Sequence, residues 1–69
     1  MKIFSERLKK LRKESGYTQV QISENLNIRQ QSYLRYETGQ GEPSLETLVK
    51  LAKLLDVSTD YLLGLSDFF

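Results

Sequence analysis

Residues Thr18–Gly39 read TQVQISENLNIRQQSYLRYETG, and the fold is decided by how this stretch divides. Thr18 followed three residues later by Gln21 is a capping box, so a helix starts here. Ile22 and Leu26 fall on one face of it. Asn27 breaks it, because asparagine tolerates the left-handed turn conformation better than most residues. A second short helix follows from about Gln30 to Thr38 and is ended by Gly39. Its apolar teeth are Ile28, Tyr33 and Tyr36. Its other face carries Arg29, Gln30, Gln31 and Arg35, a row of long amides and guanidinium groups. Such a row is either ordinary solvated surface or a set of hydrogen-bonding tips aimed at a flat polar partner.

The flanking sequence repeats the helical period, and nothing alternates with period two, so the chain reads as all-α. A first helix is expected over about residues 5–15, with Phe4, Leu8 and Leu11 as its stripe and Gly16 as its stop. The second and third helices are expected over about 18–26 and 30–38. After the loop GQGEP, Ser44 caps a fourth helix over 44–55, whose stripe is Leu45, Leu48, Leu51, Ala52 and Leu55. Glu46 sits in its first turn, where the helix dipole favours negative charge. A fifth helix is expected over 59–63, in DYLLG. Short connections make this one compact five-helix domain spanning residues 1–69.

The 69 residues contain neither cysteine nor histidine. Disulfides and a tetrahedral zinc site are therefore excluded, and tight helical packing or self-association must supply stability. The lack of cysteine fits a reducing cytosol. No apolar run approaches the roughly 18 residues needed to cross a membrane, and MKIFSERLKK does not read as a signal peptide. With no histidine, no cysteine, no glycine-rich phosphate loop and no paired carboxylates, neither an enzyme nor a cofactor-binding protein is expected. The net charge of +1 hides an asymmetry. Residues 1–35 hold eight Lys/Arg against three Glu, a net +5; residues 36–69 hold two Lys against six Asp/Glu, a net −4. One basic half points to a polyanionic partner on one side.

Two short helices joined by so tight a turn must cross steeply, in the helix-turn-helix arrangement whose second helix can enter a DNA major groove. Small Ser23 falls where the two helices approach most closely, and Asn27 where the turn needs a positive φ. The segments LRKESGYTQ, YLRYETG, PSLETLVKLAKLLDVS and DYLLG complete a pattern that resembles the lambda/Cro-type, phage-repressor-like helix-turn-helix regulators over about residues 5–65. The resemblance implies a five-helix, lambda-repressor-like domain that binds double-stranded operator DNA as a homodimer. It implies base contacts from Gln30, Gln31 and Arg35, with Arg29 at the mouth of the groove. It implies backbone contacts from Gln19 and from the loop at Thr38, Gln40 and Gly41, and a structural salt bridge between Arg12 and Glu37. Glutamine matches adenine N6 and N7, and arginine matches guanine O6 and N7, so the chemistry of the row suits this role.

Three positions depart from the family pattern. Ser23 stands for the usual Ala, Asn27 for the usual Gly, and Arg29 for the usual Ser cap. The last is expected to weaken the third helix's start by about 0.5–2 kcal/mol. The C-terminal stretch concentrates Tyr61, Leu62, Leu65, Phe68 and Phe69, more apolar surface than so small a chain is expected to bury. This tail, residues 61–69, is expected to form a two-fold dimer interface; the alternatives are that Phe68 and Phe69 fold back onto their own core or mark where a longer protein was cut. The competing functional reading is a protein-interaction module, an adaptor or antitoxin-like partner. Such a module has no need of long polar side chains at the start of the third helix.

Overall fold

The computed structural model describes residues 1–69. Five helices follow in order: α1 (Lys2–Glu14), α2 (Gln19–Asn25), α3 (Gln30–Thr38), α4 (Leu45–Leu55) and α5 (Thr59–Leu63). α1 packs on α3 and α5, α2 on α3, and α4 on α5. One core results, from Phe4, Leu8, Leu11, Ile22, Leu26, Tyr33, Leu48, Leu51, Ala52, Leu55 and Leu62. Ile28 and Tyr36 pack against its edge. Full burial of one such leucine contributes roughly 1.5–3 kcal/mol. The core must supply most of the stability, because α2, α3 and α5 are far too short to persist alone.

Two expectations need correction. α1 starts at Lys2, not near Ser5. Ser5 lies inside the helix, buried, and its hydroxyl donates to the Tyr36 carbonyl at 2.6 Å, tying α1 to α3. Leu45, placed in the apolar stripe of α4, is 82% exposed. It is the first residue of that helix, and the core ends one turn further on, at Leu48.

The helix ends follow their local chemistry. The Gln21 amide donates to Thr18 Oγ1 at 3.0 Å and the Thr18 amide donates to Gln21 Oε1 at 2.9 Å, completing the capping box. Ser44 and Ser58 accept from the amides of Thr47 and Tyr61. α3 alone among α2–α5 begins on a residue, Arg29, that makes no side-chain cap bond. Asn27 turns the chain between α2 and α3 at φ 56°, and the next amide, Ile28, donates to the Ser23 carbonyl at 3.0 Å. Ser23 is buried at this crossing. Gly64 closes α5 at φ +83°, and a Cβ there would sit 2.9 Å from Ile3 Cγ2. Only glycine meets both demands.

The pose of α3 depends on one buried carboxylate. Glu37 faces inward with its side chain 2% exposed, opposite Arg12 at 9%. Arg12 Nε donates to Glu37 Oε2 at 2.5 Å, and Arg12 Nη2 to Oε1 at 3.1 Å. Tyr33 Oη donates to Oε2 as well, and Gln19 Nε2 reaches Oε1 at 3.3 Å. Arg12 Nη1 is spent on the Tyr17 carbonyl at 3.0 Å. α1, α2 and α3 thus meet on one carboxylate, and no buried side-chain polar atom is left without a partner. Burial alone would push the Glu37 carboxyl up; the donors Arg12, Tyr33 and Gln19 outweigh it and hold the group below its usual range. The hydrogen bond to Glu37 raises the Arg12 guanidinium further. Burial first, then Glu37, pushes the Tyr33 phenol far up, so it stays a neutral donor.

Two outcomes are expected. The folded-state pKa of Glu37 is depressed, so its contribution is fully present above the ordinary value of 4.5 and is lost as pH falls through the folded-state value. Glu37→Gln should lower stability at pH 7 by several kcal/mol, as loss of one partner of a buried pair does, and should flatten the acid limb of the stability–pH curve. Denaturant melts at several pH values check this; an acid limb identical to the parent's would contradict it. Separately, Arg29→Ser should restore a cap to α3 and raise stability by about 0.5–2 kcal/mol in urea unfolding. No gain would mean that the helix start is already satisfied.

Candidate nucleic-acid interface

With Tyr33 and Glu37 fixed inward, helical geometry decides what α3 presents outward. Gln31, Arg35 and Thr38 recur at i, i+4 and i+7, so they share the opposite face. All three are exposed, as are Gln30 at the helix start and Arg29 just before it. The side chains of Arg29, Gln30, Gln31 and Arg35 appear in none of the chain's hydrogen bonds. The ion pairs are Arg7–Asp67, Arg12–Glu37 and Lys50–Glu46, so Arg35 has no carboxylate partner either. The row is rooted on a locked helix, and its tips are free. Leu34, 41% exposed, stands among them; its apolar side chain was not singled out from the sequence. A thymine methyl is the groove feature that such a group can touch.

The flanking positions divide. Gln19, at the first turn of α2, is half-buried, with one amide N–H on Glu37 and the other uncommitted. The Gln40 side chain has no partner in the chain. Thr38 Oγ1 makes only a long 3.3 Å bond to the Arg35 carbonyl. Gly41, in the loop expected along the DNA backbone, has its amide turned back into the chain. Its N–H points at the Arg35 carbonyl, 3.3 Å away, beside the Gln40 N–H at 3.0 Å. It therefore offers no free outward donor.

The basic half of the chain also divides. Arg12 is locked in the core pair. Arg7, which drew no attention in the sequence, is 18% exposed in its side chain and holds the C-terminal segment. Its Nη1 donates to the carbonyls of Tyr61 at 2.5 Å and Ser66 at 2.7 Å, and its Nη2 to Asp67 at 3.3 Å. Its guanidinium lies 4.1 Å above the Tyr61 ring, and Phe69 packs on that ring at 4.7 Å. No local signal links Arg7 to residues some 60 positions away.

The tail residues divide between core and surface. Leu62 is a correction: it is 0% exposed and belongs to this chain's own core, so it has no surface to offer a second copy. Tyr61 is half-buried under Arg7. Leu65, Phe68 and Phe69 remain 77%, 82% and 72% exposed. Phe69 does fold back, but onto Tyr61 and not into the core.

Comparisons with known proteins address the same elements. A family model described as helix-turn-helix matches residues 8–62, from the middle of α1 to the end of α5. The chain is 51% identical over 61 residues to the SPbeta prophage-derived HTH-type transcriptional regulator YonR of Bacillus subtilis, covering 88% of this chain and 56% of that protein. It is 45% identical over 64 residues to the cryptic phage CTXphi transcriptional repressor RstR of Vibrio cholerae, covering 93% of this chain and 56% of RstR. The crystal structure of a transcriptional regulator from Listeria innocua superposes with a TM-score of 0.83 at 38% identity, over 88% of this chain and 57% of that one. The chain thus spans a little over half the length of these relatives. No helix is long and apolar enough to cross a membrane. A family match over α1–α5, with α2 and α3 as its helix-turn-helix and a free polar row on α3, places this chain in the helix-turn-helix family of DNA-binding transcriptional regulators related to phage repressors.

Proposed function

We propose that this chain represses transcription by binding a palindromic operator as a homodimer, with α3 of each subunit in successive major grooves. The observation that carries the reading is the outward row of Gln30, Gln31 and Arg35, free of internal partners on a helix whose inner face is pinned by Glu37. Gln30 and Gln31 would pair with adenine edges and Arg35 with guanine, each good bidentate contact giving roughly 1–3 kcal/mol of discrimination. Arg29 would meet the mouth of the groove. Gln19, Thr38 and Gln40 would hold phosphates and set the register without reading sequence. The four exposed lysines of α1, Lys2, Lys9, Lys10 and Lys13, have no ion-pair partner and would add long-range attraction, screened by salt. RstR, named as a phage transcriptional repressor, supports repression as the outcome. Acting on DNA, the protein would work in the cytoplasm.

A nine-residue helix touches only a few base pairs, so a second copy is needed to specify a site. Leu65, Phe68 and Phe69 supply an exposed apolar cluster suited to that contact. Half-sites would then lie about 10–10.5 base pairs apart.

Selection from a random DNA pool at near-physiological salt should recover such a palindrome. Gln30→Ala or Gln31→Ala should relax one or two base positions and leave the fold intact. Gln19→Ala should weaken all sequences alike. Selection of no sequence by the folded protein would favour the protein-interaction reading. For the dimer, sedimentation at tens of micromolar should show the parent self-associating and a Phe68→Ser, Phe69→Ser variant monomeric. A parent that is monomeric there, and binds single half-sites without cooperativity, would rule the tail interface out.

A further inference from the structure

Gly41 has no conformational need to be glycine: it is absent from the residues with positive φ. What it provides is space. A Cβ built on it would lie 3.3 Å from Arg35 Cβ and 3.8 Å from Arg35 Cδ. The first contact is tighter than side chains normally make. Its partner atom is rooted directly on α3, so it cannot swing away as the end of a flexible chain could. The loop that carries Gly41 is itself tied to the same residue, because the amides of Gly39, Gln40 and Gly41 all point at the Arg35 carbonyl. The stem of Arg35 therefore runs along a shelf formed by the Gly41 backbone. Its guanidinium has no carboxylate partner in the chain.

We propose that Gly41 is a positioning residue for specificity: it touches no base, but its missing side chain sets the course of Arg35 toward the base pair Arg35 reads. This rests on the reading of α3 as the groove helix. A planar guanidinium fork recognises guanine only when both N–H groups line up with O6 and N7. With Arg35 Cβ fixed on α3, a methyl at position 41 crowds the stem from Cβ to Cδ; a small turn of the torsions beyond Cβ, carried along a long side chain, is enough to spoil that alignment while leaving the charge in place. Sequence preference at one base pair should therefore suffer, and general attraction to DNA should not.

The test compares sequence selection and melting for the parent, Gly41→Ala, Arg35→Ala, Gln31→Ala and Gln40→Ala, at one stated salt concentration. Arg35→Ala identifies the base pair in question, where the parent's preference should be roughly 5- to 150-fold. Gly41→Ala should lose most of the preference at that same base pair, keep the preferences lost in Gln31→Ala, and bind random DNA as the parent does. Gly41→Ala selecting as the parent does, while Arg35→Ala does not, would overturn the proposal. So would a uniform weakening across all sequences, which marks a backbone contact as expected of Gln40→Ala. If neither Arg35→Ala nor Gln31→Ala alters selection, the groove-helix reading itself fails and takes this proposal with it. Should Gly41→Ala fail to fold, the parent decides. By NMR the Arg35 Nε–H bond should be more ordered than that of the exposed Arg29; equal disorder would overturn the proposal.

Discussion

The carboxylate of Glu37 is the constraint on which the rest of the structure depends. A lone buried carboxylate is among the most costly groups a small domain can contain. Here it is tolerated because donors from three helices converge on it: Arg12 from α1, Gln19 from α2, and Tyr33 one turn back on α3 itself. Each donor is also an alignment restraint. Rotating α3 about its axis would strand the charge, and sliding α1 would strand the guanidinium. The pair adds little to net stability against an apolar replacement. Its effect is geometric: it selects a single rotation of α3 and so decides which side chains face outward.

That single rotation explains how a weakly started helix can serve as a rigid platform. α3 has nine residues and no side-chain cap at Arg29, so its intrinsic tendency to form is low. It is held instead by tertiary contacts: Tyr33 fully buried, Tyr36 against the core edge with its carbonyl on Ser5, and Glu37 in the polar cluster. Every one lies on the inner face. The outer face, with Gln30, Gln31 and Arg35, makes no side-chain hydrogen bond or ion pair within the chain. A cap at position 29 has been given up for a long cation at the helix entry, a loss of stability at a place where a charge can reach an acidic partner.

The cations show a second division of labour. Arg7 and Arg12 serve the fold, one clamping the C-terminal segment and the other neutralising Glu37. Arg29 and Arg35 have no internal duty. Guanidinium suits both uses because its several donors can either saturate inward acceptors or present a planar fork outward. Burial and available acceptors decide between these uses, and neither is a property of arginine itself.

By itself, the sequence determined most of what depends on near neighbours along the chain. The capping box at Thr18 and Gln21, the serine caps at 44 and 58, the left-handed turn at Asn27 and the apolar stripes of five helices are all set within four or five residues. They were readable for that reason. The outward row on α3 followed from the same period, and family resemblance brought Arg12 and Glu37 together across 25 positions. Only the tertiary structure decided what depends on distant chain meeting distant chain. It showed that Leu62 lies in the core while Leu45 does not, that Arg7 grips residues beyond α5, and that Ser5 is spent on α3. It also showed that Gly41 leaves room for the Arg35 stem. Helical period specifies a direction from one axis. It does not specify what another segment places there, and these residues are defined by that second fact.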